Sequence, residues 1–222
     1  MMHNSLNLIE ILDNNIYKYE ELVNFNKKEF EEYKNLLACF NETNSSKSYS
    51  NEAKGEALEN LVAFLISKTN IFEIYKNIHT TSNEIDLFVK FNRYGKVLLS
   101  YGLVDGLFSN YVCECKNTNN KINVTWIGKF ITLTRMGNFN FGLMFSYHGL
   151  TGENTWNYAF GLTRKIFLKE NTLIIDINYN DLLKISTQKN LLDIINEKVI
   201  NIKHDIDLTQ YLTEHPNTKY IK

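Results

Sequence analysis

The order of predicted elements is that of an α/β or α+β domain, with a central mixed sheet of four to five strands flanked by helices. Two observations carry this expectation. Helical periodicity precedes a group of short apolar strand patterns, and a helix, a strand, and a closing strand with its own helix follow. Rings are also abundant: 14 Phe and 13 Tyr in 222 residues can fill a sizeable core.

Residues 1–40 read as helical. Phe30, Tyr33, Leu37 and Phe40 recur at steps of three and four and line one face, with Glu and Lys on the other. Residues 41–51 are polar, with four serines, and read as a linker. A second helix is expected over about 52–68, where Leu58, Leu61, Val62, Leu65 and Ile66 make an apolar stripe suited to packing on a sheet. Strand patterns follow at 71–78 and 84–91. Asn92-Arg93-Tyr94-Gly95 reads as a turn and 97–103 as another strand, giving an extra hairpin around 94–108. Residues 111–116 read as a strand and 124–136 as a helix ending near Gly137. Residues 141–147 and 173–177 are apolar strands, Asn180 and Asp181 cap a helix through the 180s, and 191–202 is helical again. The chain thus divides into an acidic helical extension over 1–45, a core over 46–189, and a helical segment with a polar tail over 190–222.

Net charge is −1, but its distribution is uneven. Residues 1–59 hold 11 acids and 6 bases; residues 113–169 hold 7 bases and 2 acids. A basic working surface on a near-neutral protein is expected. One proline and ten glycines exclude a collagen-like or Pro/Gly-rich disordered chain. Three cysteines cannot all pair within one chain, and the five histidines are scattered. That predicts a reduced, cytoplasmic protein rather than a disulfide scaffold or a zinc module. Neither a signal peptide nor a membrane span is expected.

Two strands carry charge where an apolar residue is the norm. In Asn83-Glu84-Ile85-Asp86-Leu87-Phe88-Val89, alternation places Ile85, Leu87 and Val89 on one face and Glu84, Asp86 and Phe88 on the other. An aspartate inside such a strand is costly unless water, a metal or a base accompanies it. In Tyr111-Val112-Cys113-Glu114-Cys115-Lys116-Asn117, Glu114 and Lys116 share a face and the two cysteines point to the other. Glu114 with Lys116 alone would suit a structural ion pair. If the two strands are neighbours, Asp86 and Glu114 meet. Converging carboxylates repel unless a divalent cation bridges them, and hard oxygen ligands suit Mg²⁺ or Mn²⁺. A lysine beside them can stabilise charge on a phosphate.

With these residues in place, the sequence from about 55 to 183 resembles the PD-(D/E)xK nuclease superfamily, most closely its Mrr-type restriction endonucleases. Gly55-Glu56-Ala57-Leu58-Glu59 is similar to the opening helix motif, Glu84-Ile85-Asp86-Leu87 to the metal-binding aspartate strand, and Glu114-Cys115-Lys116-Asn117 to the strand bearing Glu-x-Lys. Phe141 to Thr151 resembles the strand and loop after the second helix. Ile174-Ile175-Asp176 with Asp181-Leu182 resembles the closing strand and helix start. The proline that names the superfamily is absent, and the interval from Asp86 to Glu114 is long, which makes Asp105 a rival to Asp86.

The resemblance implies a restriction-endonuclease-like core and Mg²⁺-dependent hydrolysis of DNA, with Mn²⁺ able to substitute and RNA not excluded as a target. It implies Asp86 and Glu114 as metal ligands, with the Cys115 carbonyl as a third. Lys116 would act on water and phosphate, and Glu59 would complete the site, with Glu56 able to stand in. Lys121, Lys129 and Arg135 are the expected nucleic-acid contacts, and Trp126, Tyr147 and His148 either stack on bases or pack. A homodimer is expected, because cutting both strands of a duplex needs two sites, and the 30–40 stripe either packs on the second copy or covers the core of its own subunit. The reading from a different class is a catalytically inactive nucleic-acid-binding or assembly module on the same fold.

Overall fold

The computed structural model describes residues 23–46, 48–79, 84–152, 158–187 and 189–203. Among these residues, seven α-helices flank one five-stranded mixed sheet. In chain order they are α1 (Lys27–Ser45), α2 (Asn51–Ser67), β1 (Phe72–His79), β2 (Glu84–Phe91), α3 (Arg93–Ser100), β3 (Asn110–Lys116) and α4 (Val124–Met136). After these come β4 (Phe141–Ser146), α5 (Tyr158–Glu170), β5 (Leu173–Ile177), α6 (Tyr179–Ile185) and α7 (Leu191–Lys203). A 3₁₀ turn, Gly106–Ser109, leads into β3.

The strands lie side by side in chain order. β1–β2 and β2–β3 are antiparallel, whereas β3–β4 and β4–β5 are parallel. Parallel neighbours need crossovers, and α4 and α5 supply them. Each face of the sheet has its own core. On one side Leu87, Val89, Tyr111, Cys113, Phe145, Ile175 and their neighbours pack against α1, α2 and α7; on the other Val112, Met144 and Ile174 pack against α4 and α5. Alternation along the strands produces this two-sided burial.

The helix ends follow local chemistry. Asn26 caps α1 with a reciprocal Glu29 contact, Ser50 caps α2, Asn123 caps α4 and Asn178 caps α6. The cap of α6 therefore precedes the expected Asn180-Asp181 by two residues.

Two expectations are corrected, and one helix is not read at all. Residues 93–100 form helix α3, not a turn and a strand: the Asn92 side chain accepts from Gly95 N at 3.1 Å and starts a helix. Gly95 is there for close approach, since a Cβ would lie 2.4 Å from Phe91 Cδ1 and 2.5 Å from the Ile71 carbonyl oxygen. Helix α5 goes unread in the sequence because exposed Tyr158 and Leu168 blur its stripe. Finally, Ile85 does not share a face with Leu87 and Val89. It joins the α4 side of the sheet with Ile78, while Leu87 and Val89 face α2. The switch falls where Asn77 takes φ +49° and the β1–β2 ladder skips Asn77 and Asp86.

Helix α1 belongs to the main core. Tyr33, Leu37 and Phe40 are buried there, and the Tyr33 hydroxyl donates to the Leu182 carbonyl at 2.7 Å. Of the two expectations for this stripe, the structure shows the one in which it covers the core of its own subunit. Residues 1–22 of the expected extension lie outside the described residues, as does the polar tail from 204.

Candidate active site

Asp86 occupies the break in the β2 ladder. The β2–β3 pairing runs from Lys90↔Asn110 to Leu87↔Cys113 and stops there. One step further, the Cys115 main-chain N–H donates to Asp86 Oδ2 at 2.6 Å. A carboxylate thus takes the hydrogen bond that a strand carbonyl would otherwise accept, and Asp86 is fixed against β3 between Glu114 and Lys116.

Three carboxylates have Cys115 as a common neighbour. Burial pushes the Cys115 thiol well above its usual range, and the negative charges of Asp86, Glu59 and Glu114 add to this, with Cys113 contributing as well. Glu59 is half-buried on α2, the helix that packs on β1 and β3. Glu56 is exposed one turn earlier. Hard oxygen donors around a protonated thiol suit Mg²⁺ or Mn²⁺ better than a soft metal. Among the described residues no three His, Cys, Asp or Glu side chains form a ready-made metal cluster. The set implied by the resemblance is two carboxylates, Asp86 and Glu114, with the Cys115 carbonyl.

Lys116 ends β3 on the α4 side of the sheet. Its ammonium lies 4.0 Å from the centroid of the Trp126 ring, and Lys129 Nζ lies 4.8 Å from the same centroid. Trp126 is half-buried in the α4-side core. Lys121 is exposed in the loop before α4. Arg135 sits in the last turn of α4 and is ion-paired with Glu170 of α5. Nine residues of helix place it about 14 Å from Trp126 along the axis.

Asp105 is elsewhere. It is exposed, and its side chain accepts from Leu107 N at 2.8 Å to cap the 3₁₀ turn. That turn leads into Asn110, four residues or about 13 Å of strand before Glu114. Of the two rival aspartates, Asp86 is the one in contact with the β3 end.

One residue of this neighbourhood escapes sequence reasoning. Lys54 on α2 is only 6% exposed; its Nζ donates to Asn119 Oδ1 at 3.1 Å, and its carbonyl accepts from Asn117 Nδ2 at 2.7 Å. It clamps the loop that leaves Lys116. A lysine among Glu52, Gly55 and Glu56 looks like a solvated helix residue, and no local signal marks its burial.

The ends of β4 and β5 are structural. Tyr147 stacks on Tyr179 at 4.8 Å and donates to Asn41 Oδ1, so it packs rather than presenting a ring. His148 is exposed beside it. Gly149 takes φ +71°, where a Cβ would come 3.1 Å from Asn178 Nδ2 and 3.3 Å from Asp176 Oδ2. Asp181 is buried and holds Lys184 at 3.1 Å and Lys198 at 2.5 Å.

No family model matches the chain, and no curated protein matches its sequence.

Proposed function

We propose that this chain is a metal-dependent endonuclease of the PD-(D/E)xK superfamily, Mrr-like, that hydrolyses phosphodiester bonds of DNA in the cytoplasm. The observation that carries the reading is the Cys115 N–H bond to Asp86, which sets a carboxylate from β2 against the Glu-x-Lys segment of β3. The element order supports it too. A helix bearing Glu59 precedes three antiparallel strands, and a helix then crosses to a parallel fourth strand, the arrangement a restriction-endonuclease-like core requires.

In this reading Asp86, Glu114 and the Cys115 carbonyl hold Mg²⁺ or Mn²⁺, which when bound supplies Lewis-acid polarisation and an acidified water. Glu59 orients water from the α2 side. Lys116 places its positive charge where the phosphate gains negative charge. Lys129 and Lys121 hold flanking phosphates. Because the face of α1 is already covered, the homodimer that would cut both strands uses another surface.

The competing reading is a binding module without cleavage. The pairing of Lys116 and Lys129 on the Trp126 ring, which suits phosphate binding with or without a metal, is the observation compatible with it. Supercoiled plasmid incubated with Mg²⁺, Mn²⁺ or EDTA decides between them. Cleavage in both metals and none in EDTA is expected, and Lys116→Ala should lose cleavage while keeping most of its affinity for DNA. Binding without cleavage in either metal would leave the module reading.

A further inference from the structure

Trp126 lies between two cations and a core. Its backbone is pinned at the start of α4, where the Asn123 side chain accepts from Thr125 N at 3.0 Å and Trp126 N at 3.3 Å. Its ring packs against the α4-side core. Lys116 reaches the ring from the end of β3 and Lys129 from one turn further along α4. Both nitrogens are tied to one centroid, so they are no more than about 9 Å apart.

Two ammonium groups within that span repel, weakly where water screens them. The negative face of the indole offsets part of that repulsion, and an anion placed between them would offset the rest. Among the described residues neither lysine forms an ion pair with a carboxylate; each lies over the ring. A lysine on a four-carbon stem has many rotamers, and a ring contact selects the few that keep Lys116 at the strand end beside Glu114.

We infer that Trp126 is a positioning residue. It seats Lys116, and with Lys129 it forms a paired-cation cradle for one phosphate group of a nucleic acid. The use of the cradle in cleavage rests on the nuclease reading; the seat itself and its anion do not. The indole fixes where Lys116 waits, and an arriving phosphate draws both ammoniums from the ring.

The seat has a signature independent of turnover. Dimethylation with ¹³C-formaldehyde keeps the lysine charge, and methyl groups over an indole are shifted upfield by its ring current. The whole chain should show two upfield dimethyl-lysine signals. Lys116→Arg should remove one and Lys129→Arg the other. Trp126→Leu should return both to the ordinary position, and Trp126→Phe should leave smaller shifts. Adding a 12-base-pair DNA duplex in EDTA should move both signals downfield. In the cleavage assay Trp126→Leu should lower kcat by about 100-fold with little change in KM, with partial rescue in Trp126→Phe.

Unshifted lysine signals in the wild-type chain would overturn the seat. Signals unmoved by saturating duplex would overturn the cradle, and an unchanged kcat in Trp126→Leu would overturn the positioning role. If wild-type protein cleaves nothing in Mg²⁺ or Mn²⁺, the nuclease reading falls, and the methyl signals with and without duplex still decide the seat and the cradle.

Discussion

Asp86 has two jobs that one substitution series can separate. Its Oδ2 accepts the Cys115 N–H, and its charge belongs to the carboxylate group around Cys115. Asp86→Ala strands a part-buried amide, so unfolding in urea should show a loss of about 1–3 kcal/mol, and cleavage should vanish. Asp86→Asn retains an oxygen for the amide and should cost less stability, yet it should lose cleavage as fully. Wild-type cleavage by Asp86→Asn would remove Asp86 from the metal site. The buried thiols make a second test. Cys113 and Cys115 both have their thiol pKa raised well above the usual value, first by burial and then by the charge of Asp86. Folding therefore favours the protonated thiol. In the unfolded chain each thiol loses its proton near about pH 8.5. Their contribution is complete below that pH and declines as pH rises beyond it, with a slope of about 1.4 kcal/mol per pH unit for each thiol. Urea midpoints taken from pH 7 to 10 should fall accordingly, and Cys113→Ala should flatten the fall. A midpoint that stays level across this range would contradict the burial of these thiols.

At the scale of elements, α4 separates its basic residues by role. Lys129 stands at the Trp126 end, whereas Arg135 is tied to Glu170 near the C-terminal end. Binding of duplex in EDTA, followed against salt concentration, should weaken in Lys129→Ala with a slope reduced by about 1. Arg135→Ala should leave that slope unchanged and lower the melting temperature instead. Equal slopes in both variants would mean that Arg135 reaches phosphate after all. The same element shows what sequence can convey. Residues 124–136 were legible as a helix because Asn123, the apolar spacing and Gly137 all agree on its ends. The five strands were legible because β4 and β5 are short apolar runs and β1 to β3 mix apolar, β-branched and aromatic residues with polar ones. Helix α3 was not, because Val97, Leu98 and Leu99 make the same kind of run and Gly95 mimics a turn. Its real purpose, room for Phe91 and the Ile71 carbonyl, is visible only in three dimensions. Within the candidate site, Asp86, Glu114 and Lys116 stood out because charge interrupts apolar strands. Lys54 and the seat of Lys116 on Trp126 depend on contacts distant in sequence, and no periodicity encodes them.

For the whole molecule, one hydrophobic core joins Val23 and the α1 stripe to α2, the sheet, and Leu191 and Ile195 of α7. Deleting residues 1–45 should therefore expose that core and abolish cooperative thermal unfolding, rather than convert a dimer to a folded monomer. A truncated chain that melts cooperatively near the full-length temperature would show that α1 is dispensable. Tyr33→Phe is the milder version: losing the bond to Leu182 should cost about 1 kcal/mol.

The left-handed backbone at Asn77 reaches beyond the site. β1 is a border strand of the sheet, and a straight border strand is a template on which stray extended chains can add and grow into aggregates. Asparagine tolerates the αL conformation that a β-branched residue resists. The αL backbone at Asn77 interrupts the template just beyond Lys76. The irregularity that leaves Asp86 out of the β1–β2 ladder is also the kind of break that keeps border strands from pairing with other chains, so a substitution that regularised β1 would be expected to cost both the placement of one carboxylate and that protection.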